Sequence, residues 1–159
     1  MGRVKISRTD RLFQTATRLA RQKKYEPSRV LALLNEAVDL GSPKASHALA
    51  TWYIFGKHVK KDRHKAFSLL QQAAAANHPD GLYELAVCYE KGEGTRKNLR
   101  KAFETYMRAA LFGDQQAGYE VYRCYFHGIG VRTSRRLATI WGDRFDRAEF
   151  RKIAEHKIR

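Results

Sequence analysis

Six histidines, two cysteines and two Gly-x-Gly turns are the residues of this chain best placed to do chemistry. A protein-held metal needs ligands at set spacings, such as the two histidines of HExxH on one helix face. His47, His58, His64, His78, His127 and His156 fall into no such pattern, so they read as surface or loop residues. Gly92-Glu93-Gly94 and Gly128-Ile129-Gly130 could in principle cradle a phosphate. A dinucleotide-binding loop follows a strand, however, and a Walker loop ends in Lys-Ser/Thr, whereas these turns follow helical patterns. No nucleophile, base and metal assemble into a constellation. The expectation is a chain with no catalytic residue, no bound metal and no cofactor.

The two glycine turns stand 36 residues apart, and so does much else. Tyr53, Tyr89 and Tyr125 share that period, as do Lys65-Ala66-Phe67 with Lys101-Ala102-Phe103, and Ala73-Ala74 with Ala109-Ala110. A fixed period of this length marks a stacked array in which each unit covers the apolar face of the next. Glycines that recur at that period serve helix-end geometry needing positive φ. Within each unit the apolar residues follow helical spacing. Leu12, Phe13, Ala16 and Ala20 make the stripe of a first helix capped by Ser7 or Asp10 and running to about Lys23. Pro27 opens a second with Val30, Leu31, Leu34, Ala37 and Val38, ended by Gly41.

From Pro43 the pattern is regular. Ala45, Leu49, Trp52 and Tyr53 face inward, Asp62 caps the next helix, and Ala66, Phe67, Leu70, Ala73 and Ala74 form its stripe. The following unit shows Leu82, Leu85, Ala86 and Tyr89, then Asn98 as cap, then Leu99, Ala102, Phe103, Tyr106, Ala109 and Ala110. In the last unit Ala117, Val121 and Tyr125 keep the pattern, but Tyr122 stands where Ala50 and Ala86 stood. After Ser134 the stripe becomes Leu137, Ala138, Trp141 and Phe145, with Gly142 in place of Tyr106. The predicted organisation is a basic tail over 1–9, a divergent first helix pair over 10–41, and repeats over 42–78 and 79–114. An atypical last repeat with a C-terminal capping helix, bearing Phe150 and Ile153, fills 115–159. Together these make one solenoid domain, all-α, with about four antiparallel helix pairs.

The order Gly81, Leu85, Ala86, Tyr89, Gly92, Gly94, Asn98, Lys101, Ala102, Phe103, Tyr106, Ala109, Ala110 and Gly113 resembles the Sel1-like repeat, a relative of the TPR. The match is closest over 42–114, and it departs at His58 (the second turn glycine elsewhere), Tyr122 and Gly142. The resemblance implies a right-handed all-helical superhelix used as a protein-interaction scaffold, without catalysis.

Charge then narrows the partner. The formal net charge is +15 with 31 Lys/Arg against 16 Asp/Glu. Residues 1–30 hold nine cations against two acids and residues 131–159 nine against four, so the excess sits at the ends. Such a balance favours an acidic protein, nucleic acid or anionic lipid, or serves solubility alone. Stacking would align Lys60, Arg96 and Arg132, then Lys61 and Lys97, then His64, Arg100 and Arg136, into a basic ridge beside helix N-termini that also favour anions. The plainer alternative is a solvated loop edge. A second surface is the face of the first helices, where His47, Tyr83 and Tyr119 are equivalent, with Ile54, Glu90 and Phe126, and Thr51, Val87 and Arg123, beside them. Aromatics with an arginine are the usual material of interface hot spots, and Tyr83, Tyr119, Arg123, Phe126 and His47 are the candidates. Alternatively, the tyrosines pack between repeats and show only their hydroxyls.

The expected function is therefore a non-enzymatic adaptor gripping an acidic protein or peptide, possible as an immunity-type or regulatory protein. The alternative is RNA or DNA binding through the basic ends and ridge, although no nucleic-acid module or interleaved stacking platform is present. Pairing of the solenoid ends into a homo-oligomer stays open. Cys88 and Cys124 share a repeat position. Neighbouring helices lie roughly 8–10 Å apart and a disulfide needs Cα atoms within about 7 Å, so both are expected as buried reduced thiols. No run of apolar residues is long enough to span a membrane, and the start lacks a secretory h-region. The expected setting is the cytoplasm.

Overall fold

The computed structural model describes residues 6–144, and its contacts divide the chain into two compact units, one ending at Ala76 and one beginning at Asn77. Among the described residues there are eight α-helices and no strand. The first unit holds α1 (Arg8–Ala20), α2 (Pro27–Asp39), α3 (Pro43–Phe55) and α4 (Arg63–Ala75). The second holds α5 (Pro79–Lys91), α6 (Leu99–Leu111), α7 (Gln115–His127) and α8 (Arg135–Arg144). In each unit the helices pack as hairpins, α1 on α2, α3 on α4, α5 on α6 and α7 on α8, and the hairpins join through α2 with α3 and α6 with α7.

Local chemistry explains where the helices begin. An α-helix leaves its first N–H groups without intrahelical partners, and a short polar side chain ahead of it can accept from one of them. Asp62, Asn98 and Ser134 do this for α4, α6 and α8, accepting from the N–H of Lys65, Lys101 and Leu137. Ser42, His78 and Asp114 do it for α3, α5 and α7. Both cap sets therefore recur every 36 residues, and the second was not foreseen from the sequence. His78, expected as an ordinary loop residue, caps through Nδ1, 3.2 Å from the Gly81 nitrogen. Ser7 caps α1, which ends at Ala20 and not near Lys23.

The far ends follow the same rule. Gly56, Gly92 and Gly128 take left-handed φ at the ends of α3, α5 and α7. The chain then folds back so that the N–H of Asp62, Asn98 and Ser134 donates to the carbonyl of Tyr53, Tyr89 and Tyr125, at 3.1, 2.8 and 2.9 Å. The three tyrosines thus hold one equivalent backbone position. Where later turns place Gly94 and Gly130, His58 adopts φ +60°. Its strain is held by a 2.7 Å hydrogen bond between Nε2 and the Tyr25 hydroxyl and by edge contact with the Trp52 ring.

The core forms where the stripes meet. In the first unit Ala16, Val30, Leu34, Ala37, Ala45 and Trp52 cluster, with Leu12, Phe13, Tyr25 and Val38 packed against them. In the second, Leu82, Leu85, Ala86, Ala102, Tyr106, Ala109, Ala117 and Val121 are buried. Of the other expected stripe members, Tyr89, Phe103, Tyr125 and Trp141 are half-buried, and Leu99 and Leu137 are each 37% exposed. Leu99 and Leu137 lie in the first turn of a helix, at the rim, where apolar periodicity continues but no described neighbour covers it. Leu69 is buried instead, beside Leu70.

The last repeat resolves its two departures against each other. Gly142 lies beside Tyr122, so that a methyl group added there would sit 3.5 Å from the ring. One repeat earlier the same two positions hold Ala86 and Tyr106, both buried. The bulk has moved from the second helix to the first. The expected capping helix, with Phe145, Phe150 and Ile153, and most of the basic tail lie outside the described residues.

Candidate functional site

The second unit carries a buried ionic network that organises the first-helix face. Arg123 of α7 donates from Nη2 to Glu90 of α5 and from Nε to Glu120 of α7, each at 2.6 Å. Glu90 also accepts from the Tyr106 hydroxyl of α6 at 2.8 Å. Glu120 is only 3% exposed and the Arg123 side chain 27%. Burial works against the Arg123 charge, but the hydrogen bonds it donates to the two carboxylates hold its pKa above the usual arginine value. Burial, then the charge and hydrogen bond of Glu90, raise the Tyr106 phenol well above a free tyrosine. Arg123, one of the candidate hot-spot residues, bridges α7 and α5 through these two carboxylates. The signal for this lay in Glu120, which sits on the inward stripe with Ala117, Val121 and Cys124. A carboxylate there needs a partner.

Around the clamp lies a band of rings. Tyr83 is half-buried and tilted against Tyr106, centroids 5.7 Å apart. Tyr119 lies 6.1 Å from Tyr122, and Tyr122 5.6 Å from Phe126. The Arg135 guanidinium stands 4.2 Å from the Phe126 centroid, within cation–π range. Tyr119, Arg123 and Phe126 are therefore brought together on α7, with Tyr83 on α5. Tyr122 and Arg135, absent from the expected set, complete the band. His47 is half-buried on α3 of the first unit.

The ridge residues Lys60 and Lys61 are exposed in the first unit, and Arg96, Lys97, Arg100, Arg132 and Arg136 are exposed in the second. In the second unit the α7–α8 turn is pressed onto the start of α6. A methyl group on Gly130 would fall 2.0 Å from the Leu99 carbonyl oxygen. That approach lays the loop carrying Arg132 on the turn that leads into Arg96, Lys97 and Arg100. Arg100 is bonded to Glu104 at 3.1 Å. Arg96, Lys97, Arg132 and Arg136 make no ion pair with another described residue.

Cys88 and Cys124 are both buried, and no disulfide joins them. Burial, reinforced by Glu90 and Glu120 against the opposing Arg123 charge, pushes the Cys124 thiol up to about 12. At pH 8 the native protein should therefore alkylate there on the order of a thousandfold more slowly than a free thiol, and at the normal rate once unfolded in guanidinium. Mass mapping after iodoacetamide checks this. The same shift has a stability consequence. A group whose folded pKa is raised keeps its stabilisation below the unfolded value, here 9.0, and loses it as pH climbs toward the folded value. Unfolding midpoints should thus hold steady to about pH 9 and fall above it. A flat profile to pH 11 would contradict the buried network.

An all-helical solenoid of repeated hairpins defines the class. The Sel1 repeat model matches residues 43–78, 79–111 and 117–143, more than half of the chain, and the chain belongs to that family. Proteins built of Sel1 repeats generally mediate protein–protein interactions, and their scaffold is typically non-catalytic. A Sel1 repeat protein from Oxalobacter formigenes is 24% identical, with a TM-score of 0.79 over 84% of this chain and 56% of that one. A protective antigen of uropathogenic Escherichia coli with an SLR fold is 20% identical, TM-score 0.80, over 85% of this chain and 29% of that one. An immunity protein from Pseudomonas aeruginosa is 27% identical, TM-score 0.60, over 77% and 47%. The chain thus spans between about a third and just over half of these structures. No curated protein sequence matches it. No helix among the described residues is long and apolar enough to cross a membrane.

Proposed function

We propose that the chain is a non-enzymatic adaptor that grips an acidic protein or peptide. The observation that carries this is the exposed basic ridge of the second unit, whose turns are brought together by the close approach of Gly130 to Leu99. Four of its cations pair with no acid among the described residues, so an external row of carboxylates would neutralise them. The aromatic band adds apolar area with few rotatable bonds, which suits a protein surface. Two buried reduced thiols accord with a cytoplasmic setting. Likeness to an immunity protein supports one specific form, in which the grip sequesters a toxin.

The test is recovery of partners by wild type and by a Lys60→Ser/Arg96→Ser/Arg132→Ser variant across a salt series. A protein partner is expected to survive moderate salt, and to fall about tenfold with the ridge variant and with Tyr83→Ala or Tyr119→Ala. Equal recovery by both baits discards the ridge. Nucleic acid as the partner would show instead as sequence-blind binding that drops steeply with log salt.

A further inference from the structure

The outer side of α1 carries a feature that neither the ridge nor the aromatic band includes. Phe13, Gln14, Thr17, Arg18 and Arg21 line a groove of about 310 Å³. These are positions i, i+1, i+4, i+5 and i+8 of one helical stripe, the type of ridge into which a second helix packs. The floor is firm, because Phe13 also packs against the core of the first unit. The volume lies at the lower end of what ligand pockets offer, enough for a large apolar side chain and its neighbours.

Charge around the groove is one-sided. Asp10, the single acid of α1, lies in its first turn, 3.8 Å from Lys44, and Arg8 is bonded to Glu36 at 2.7 Å. Arg11, Arg18, Arg21, Lys23 and Lys24 form no ion pair with any described residue. Cations near a helix C-terminus do offset its dipole, but that role requires no groove between them. An apolar trough edged by arginines that pair with no described acid matches an apolar side chain flanked by carboxylates. A phosphodiester chain would use the arginines and leave the trough empty.

We infer that α1 is a second docking surface, whose occupant is an acidic amphipathic helix of a partner protein, seated with an apolar side chain in the groove and carboxylates against Arg18 and Arg21. This rests on the adaptor reading but on neither of the surfaces used there. The probe is a fluorescein-labelled amphipathic peptide of about 18 residues, leucines at helical spacing flanked by glutamates, titrated into the full chain. Saturable binding is expected, with amide shifts in nitrogen-15 spectra concentrated on residues 13–21. Arg18→Glu/Arg21→Glu should weaken it at least about tenfold. Thr17→Trp, which fills the groove and keeps every charge, should weaken it similarly. Circular dichroism checks that both variants stay helical, and the charge pair alone decides if Thr17→Trp does not.

No binding, or shifts elsewhere, overturns the α1 proposal and leaves the ridge to its own pull-down. Loss on Arg96→Ser/Arg132→Ser with no loss on the α1 variants assigns the peptide to the ridge and also overturns it. So does an oligothymidylate that displaces the peptide and is itself lost on Arg18→Glu/Arg21→Glu, since the groove would then be a phosphate site.

Discussion

Replacing Arg123 with methionine should lower the unfolding free energy by about 3 kcal/mol, among the largest losses a single side chain here can cause. The guanidinium is shared by two carboxylates, and one of them, Glu120, is almost wholly out of water. Removing the cation leaves that charge facing the Tyr106–Glu90 pair in a low-dielectric interior, where breaking one partner of a buried pair costs far more than the pair's net worth. Partial exposure of Glu90 and Arg123 keeps the loss toward the lower end of the range. The midpoint of thermal unfolding should fall by about 9 °C, at roughly 2–4 °C per kcal/mol for a chain of this size. Arg123→Met combined with Glu90→Gln and Glu120→Gln should regain most of the loss, because no uncompensated charge remains. Additive losses in the triple variant would show that Arg123 serves by packing alone.

Gly130→Ala should destabilise by about 3 kcal/mol, while Gly41→Ala, its control, should lose only about 1 kcal/mol. Both glycines hold left-handed φ, +68° and +81°, so both substitutions carry the strain of a side chain in that region. Around Gly41 there is open space. At Gly130 the new methyl would meet the Leu99 carbonyl at 2.0 Å, backbone against backbone, and no flexible side chain can yield. The α7–α8 turn must lift from α6. If the basic ridge depends on that seating, Gly130→Ala at a temperature where it remains folded should also weaken the acidic partner's grip. Urea unfolding of the two variants, followed by far-ultraviolet circular dichroism, separates strain from collision. Equal losses would mean that the turn is not seated on α6.

Much of the fold was legible in the residues because each repeat solves the same local problem. A helix pair needs a start, a stop and one apolar side, and Asp62, Asn98 and Ser134 announce the starts while Gly56, Gly92 and Gly128 announce the stops. The rim was less legible. Leu99 and Leu137 carry the helical period to positions that tertiary packing leaves in water, since periodicity tells which side a residue faces and not whether a neighbour reaches it. The exchange of Ala86 and Tyr106 for Tyr122 and Gly142 looked like two lapses from the pattern. In three dimensions it is one conserved volume.

The candidate surfaces divide along the same line. Which residues share a register position followed from spacing alone, and so did the placing of Lys60, Arg96 and Arg132 on turns and of Tyr83 and Tyr119 on first helices. What each cation does there did not. Arg123 and Arg132 are both arginines of the last repeat, yet the first closes a buried bridge to a glutamate 33 residues away and the second meets solvent. Backbone geometry recurs with the repeat because it depends on residues within one or two turns. Side-chain pairing depends on which helix faces meet, and that is decided only when the hairpins pack.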